Sequence, residues 1–141
     1  MIPQVELWGF SKNLSKLGEV ALVAIEAKHK DACILADVYH LFKGGSDFEG
    51  LKQLGPGALQ VFHMNDYPKN LNSTEIQDKD RVYPGDGIAP LTSMLKTLRN
   101  NGFNGFLSLE LFNREYWMQD ANVVAKTGLE KMKEVVQKSL S

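Results

Sequence analysis

The chain has 141 residues, 43% of them hydrophobic, which is enough for one domain with a real core. Its 16 Lys and Arg against 17 Asp and Glu leave a formal charge of -1, without the basic excess of a general nucleic-acid binder. No apolar run approaches the roughly 20 residues of a membrane helix, and the single cysteine, Cys33, excludes an internal disulfide framework and any CxxC metal knuckle. A signal-peptide pattern is missing from the first residues, so a cytoplasmic protein is expected. Cys33 has apolar neighbours and reads as a buried, inert thiol.

In chain order, Val5 to Leu7 reads as a first short strand. Leu14, Leu17, Val20, Ala21 and Ala24 then form an apolar stripe at helical spacing, closed by "KHKD", where His29 is a solvated helix-end residue. Ala32 to Ala36 reads as the second strand, and Phe48, Leu51 and Leu54 space a short helix that "GPG" ends. Ala58 to Met64 is the third strand. A long irregular stretch follows, from Pro68 to Gly87, a length usually functional or disordered. Ile88, Leu91, Met94, Leu95 and Leu98 make the next helical stripe, stopped at "NNG". Phe106 to Phe112 reads as the fourth strand. Val124, Leu129, Met132, Val135 and Val136 lie in a last helix whose Lys-rich end suits its macrodipole.

Four repeated βα units predict parallel strands with helices packed outside, an α/β fold in a single domain over 1–141. A small open sheet is one form of this. Half of an eight-unit barrel is another, since whole barrels need about 250 residues. A half barrel leaves two strand edges and an apolar face to be covered.

Binding groups in parallel βα folds collect beyond the carboxyl ends of the strands. Each strand end here offers one metal-competent side chain: Glu6, Asp37, His63 and Glu110. Singly, each has a plain structural reading, as a solvated carboxylate, a helix cap or an interior histidine. Together, three converging carboxylates would repel and raise one another's pKa, and a divalent metal removes that cost. A thiolate-free set of oxygens with one imidazole suits Mn²⁺ first, with Mg²⁺, Co²⁺ or Zn²⁺ as alternatives.

The stretches "VELWGF", "ADVYHLFKGGS", "VFHMNDYP", "DRVYPGDGIAPL" and "LSLELFNREYW", in this order, resemble the carboxyl-terminal half of the xylose-isomerase-like TIM barrels. That family includes sugar phosphate isomerases and epimerases, hydroxypyruvate isomerases and inosose dehydratases. The resemblance implies four βα units equivalent to strands five to eight of a (β/α)8 barrel. It implies Glu6, Asp37, His63 and Glu110 as metal ligands, with His40 and Arg81 holding substrate oxygens. Glu6 and Glu110 would double as acid and base, exchanging a proton through a metal-stabilised enediolate on a sugar or sugar phosphate. Close alternatives are an inosose-dehydratase-like lyase, an endonuclease-IV-like DNA-repair nuclease, which three histidines and balanced charge disfavour, and a non-catalytic remnant. The four units before strand five are absent from this sequence, so three explanations compete: a piece of a longer chain, a homo-oligomer, or a complementing amino-terminal half as partner.

Several residues carry weaker signals. Lys43 to Ser46 is either a phosphate cradle or a glycine turn with Ser46 as N-cap. Trp8 is either a pocket wall against the sugar or core. Asp66 is either a partner that orients His63 or a turn residue. Arg114, Tyr116 and Trp117 are expected to be surface packing.

Overall fold

The computed structural model describes residues 2–141. Four strands, β1 (Gln4–Glu6), β2 (Cys33–Asp37), β3 (Leu59–Met64) and β4 (Phe106–Leu109), form one sheet in the order β1-β2-β3-β4. Every neighbouring pair is parallel. The helices are α1 (Leu17–Glu26), α2 (Val38–Lys43), α3 (Leu91–Asn100), α4 (Arg114–Trp117) and α5 (Ala121–Leu140), with 3-10 turns at Phe48–Gln53 and Asp78–Asp80. Among the described residues no helix is long and apolar enough to cross a membrane.

The core lies between one face of the sheet and the helices. Ile34, Ala36, Phe62 and Met64 join Leu17 and Val20 of α1, and Leu91, Met94, Leu95 and Leu98 of α3, in one buried cluster. Alternation along each strand therefore sends the other set of side chains to the opposite face, and that set includes Glu6, Asp37, His63 and Glu110. Cys33 is buried, as its neighbours predicted.

Three departures from the expected elements have physical causes. Helix α2 begins with no loop after β2, because Asp37 is both the last strand residue and the N-cap, its Oδ1 accepting from His40 N at 2.8 Å. The stretch Phe48–Gln53 is a 3-10 turn capped by Asp47 rather than an α-helix, with Gly50 at its centre weakening helix propensity. Leu14 and Ile88 precede their helices, and β4 stops at Leu109 rather than Phe112.

Gly44 shows how tightly the β1–α1 loop docks on α2. A Cβ built there would lie 1.8 Å from the Ser15 carbonyl oxygen, a backbone atom that cannot swing aside. Ser46 fastens the same contact, accepting from Leu17 N at 3.0 Å and so capping α1 rather than a helix of its own. Gly44→Ala is expected to cost about 1–3 kcal/mol by forcing the loop outward. Chemical denaturation with an unchanged m-value would check it.

The long loop after β3 is built, not slack. Val82 pairs antiparallel with Asp66, and the Asp66 carboxylate accepts from the backbone N–H groups of Tyr67, Gly85, Gly87 and Ala89 at 2.8–3.1 Å. Asp66 is thus a loop organiser rather than a partner of His63.

Candidate active site

At the carboxyl end of the sheet one ligand atom from each of Glu6, His63 and Glu110 lies within 4.8 Å of the other two. Register explains the gathering: Asp37 sits opposite His63, and Glu110, one residue beyond β4, bonds back through its N–H to Met64 O at 3.1 Å. His63 Nδ1 is buried and has no hydrogen-bond partner. It stands 3.4 Å from Glu110 Oε2 and 3.7 Å from Asp37 Oδ2. A buried lone nitrogen facing carboxylate oxygens is a donor set that fits a divalent cation of mixed O/N preference.

Asp37 stands beside the trio, fully buried and already occupied. Besides the His40 amide it accepts from Asn65 Nδ2 at 2.8 Å and from Arg81 Nη1 at 3.3 Å. Burial pushes its carboxyl up to about 6 against the pull of these three donors. Glu110 goes the other way: burial opposes ionisation, but His63 and Arg81 outweigh it and hold the carboxyl down at about 2. The Glu110 contact in turn raises the His63 imidazole.

Arg81 is the central cation. Its guanidinium is 1% exposed, lies over the Tyr39 ring, and contacts Glu110 Oε2 at 2.7 Å and Asp78 Oδ1 at 2.6 Å. Its Nε is buried without a partner. His40 lies against it, with Nε2 3.0 Å from Nη2. Because His40 Nδ1 accepts from Gly9 N at 3.2 Å, the neutral ring carries its proton on Nε2 and meets the guanidinium donor to donor. Burial and the Arg81 charge together bring His40 down to about 4.

Glu6, His40, Asp78, Arg81 and Glu110 line a cleft of about 510 Å³ together with Trp8 and Phe112. Trp8 is half exposed there and tilts against Phe10 at 5.8 Å between centroids. Of the weaker signals, Lys43 donates to the carbonyls of Thr74 and Ile76, so it ties down the long loop instead of lining an anion cradle. Tyr116 stacks on Tyr83 at 4.3 Å, which is surface packing. His29 accepts from Asp31 N in an exposed turn.

Two further residues belong to the site. Asn65 is fully buried and joins three strand ends: Oδ1 accepts from Tyr39 N, and Nδ2 donates to Asp37 and to the Glu110 carbonyl. In sequence it looks like half of an "ND" turn. Asp78 carried a usable signal, standing three residues before Arg81 in "DKDR", the spacing of an ion pair across a single turn.

Comparison with known proteins adds the family. Inosose isomerase of Bacillus velezensis is 34% identical over 105 residues, 74% of this chain and 37% of that protein. The Bacillus subtilis inosose isomerase is 32% identical over 108 residues, 77% and 38% of the two lengths. The chain therefore spans well under half the length of the curated relatives it matches. A solved structure described as IolI protein with a binding zinc atom superposes with TM-score 0.90 at 26% identity, covering 96% of this chain and 49% of that one. An L-ribulose 3-epimerase structure shares the fold, with TM-score 0.72 at 12% identity over 96% of this chain and 47% of that one. The model of the Xylose isomerase-like TIM barrel family matches residues 7–135, and the chain belongs to that family.

Proposed function

We propose that this chain is the metal-binding half, equivalent to the second four βα units of a barrel, of a sugar or sugar-phosphate isomerase or epimerase. The observation that carries the reading is the buried, unpartnered His63 Nδ1 facing the oxygens of Glu110 and Asp37, in a group that also brings in Glu6. Glu6, His63 and Glu110 hold the ion, and Asp37 completes the set. Similarity to inosose isomerases and to a zinc-containing neighbour supports both the reaction class and a divalent ion, with Mn²⁺ and Zn²⁺ the first two to test. A bound divalent cation supplies Lewis acidity, polarising a carbonyl and its neighbouring hydroxyl so that the C–H between them becomes acidic.

The chain's own residues do the rest. Glu6 ends β1 and Glu110 follows β4, at opposite edges of the sheet, and their side chains come together at one point. One removes a proton from the substrate carbon and the other returns one. His40 and the Arg81 guanidinium line the cleft beside Glu6 and Glu110, where their N–H groups can donate to a substrate hydroxyl or carbonyl oxygen. Trp8 and Phe112 offer apolar walls to the C–H surfaces of a sugar. A single buried thiol suits a reducing, cytoplasmic setting. The partner is a second set of four units that closes the sheet.

Two measurements test the site. Calorimetric titration should give one divalent ion per chain, and His63→Ala should weaken binding about 100-fold or more, since ligand loss exceeds the 10–100-fold cost of losing an outer partner. The metal-loaded protein should exchange a substrate C–H with D₂O, and Glu110→Gln should abolish the exchange. Normal exchange in Glu110→Gln would sink the acid–base assignment, and the metal content of the same variant separates loss of the base from loss of the ion.

A further inference from the structure

The pairing of the strands stops at the threshold of the site. The last pairs are Asp37 with His63 and Met64 with Leu109, and beyond them the Glu110 N–H reaches Met64 O at 3.1 Å. Asp37 and Glu110, which close on His63 from either side, therefore belong to strands that do not touch, since β3 lies between β2 and β4. Asn65 follows the last residue of β3 directly, and its side chain bridges that gap.

The Asn65 amide uses every polar hydrogen it has. Nδ2 donates to Asp37 Oδ2 at 2.8 Å on the β2 side and to the Glu110 carbonyl at 3.3 Å on the β4 side. Oδ1 accepts from Tyr39 N at 2.8 Å, in the first turn of α2, the helix that carries His40. The neighbours force this orientation, because a backbone N–H can only donate and a carbonyl can only accept. Asp37 Oδ2 is also the oxygen 3.7 Å from His63 Nδ1, so Asn65 holds the atom that faces the unpartnered nitrogen. Asn65 is 0% exposed, and solvent does not compete for these bonds. An ionised Asp would have no hydrogen to give, Ser or Thr would have one, and Gln would carry its amide one methylene further out.

We infer that Asn65 is a positioning residue for the cation site: it sets the spacing of Asp37 and Glu110 about His63 and ties both to the start of α2. The inference rests on the metal-binding reading above. Without the Asn65 amide, Asp37 Oδ2 keeps only Arg81 Nη1, at 3.3 Å, and the Glu110 carboxylate already lies 2.7 Å from the same nitrogen. Both carboxylates are then free to close on Arg81 and leave His63. An incoming ion has to gather its oxygens again, and that reorganisation lowers affinity. Asn65 touches neither substrate nor ion in this scheme and acts through the two acidic residues.

Calorimetric titration of the metal-free chain with Mn²⁺, and with Zn²⁺ if Mn²⁺ does not bind, tests this with no substrate present. Asn65→Ala should weaken binding about 10–100-fold, the range for an outer partner that orients a ligand. Bound Mn²⁺ should also change its zero-field splitting in the EPR spectrum, which reports the geometry of the ligands. Asn65→Ser keeps one polar hydrogen, should lose less affinity, and carries the comparison if Asn65→Ala does not fold. Asn101→Ala removes another amide, one that donates to Leu51 O at 2.7 Å from the C-cap of α3. It should lower Tm and leave ion binding unchanged. Parent-like affinity in a folded Asn65 variant overturns the inference. Equal weakening by Asn101→Ala also overturns it, since the effect would then be a general loss of stability. If the parent chain binds neither ion, the metal-binding reading falls and takes this one with it, whereas unchanged binding in the variants removes only the role of Asn65.

Discussion

Replacing Arg81 by methionine is expected to lower stability by about 3–5 kcal/mol, roughly 10 °C in Tm for a domain of this size. The guanidinium is 1% exposed and answers three carboxylates: Asp37, Glu110 and Asp78. Asp37 has no exposure at all, so removing the cation leaves a buried charge beside Glu110 with only the His40 amide and Asn65 to hold it. Arg81→Lys should recover little, because a single ammonium on a flexible stem cannot reach the three carboxylates that the planar fork spans. A divalent ion should stabilise Arg81→Met more than it stabilises the parent protein, since it replaces the missing positive charge between Asp37 and Glu110. Thermal scans with and without Mn²⁺ read both effects. A loss under about 1 kcal/mol would show that Arg81 is not what holds the carboxylates together.

Asp66→Ala is the second large effect. Four backbone amides converge on one buried carboxylate, and hydrogen bonds to a charged acceptor contribute about 1.5–3 kcal/mol each when measured singly. They share one acceptor and are not additive, so a loss of about 3 kcal/mol is expected for the whole group. Gly87 belongs to the same knot, as a Cβ there would lie 2.2 Å from Tyr67 O and 2.4 Å from Asp66 Oδ1. The consequence is local before it is global: the loop from Pro68 to Gly87 should become open to proteolysis while the sheet persists. Arg81 rides on that loop, so metal binding should weaken in step with loop cleavage. Asp66→Asn keeps the shape but turns an N–H₂ towards amide donors, and should fall between the two.

The parallel order of the sheet was legible because each apolar strand is followed by a helical stripe, and only a crossover connection can do that. Glu6, His63 and Glu110 were legible for a related reason. Each is a lone polar side chain at the end of an apolar run, and parallel strands in register bring their ends together. Helix α2 was hidden because "VYHLFK" is short, aromatic and β-branched, with its cap inside the preceding strand. The Ser46 cap was misplaced for the opposite reason: its partner, Leu17, lies 29 residues away.

By itself, then, the sequence determined the unit count, the sheet's parallel sense, the core stripe of each helix and the residue types at the four strand ends. These follow from period and position along the chain, which are local properties. The tertiary structure decided who touches whom at the site. It set Arg81 between Asp37 and Glu110, gave Asn65 three strand ends to hold, and left His63 Nδ1 facing oxygens with no bond of its own. It also turned Asp66 away from His63 and towards three amides of a distant stretch of loop, those of Gly85, Gly87 and Ala89. Pairings across 19 to 45 residues of chain depend on strand register and loop docking, and no short-range pattern encodes either.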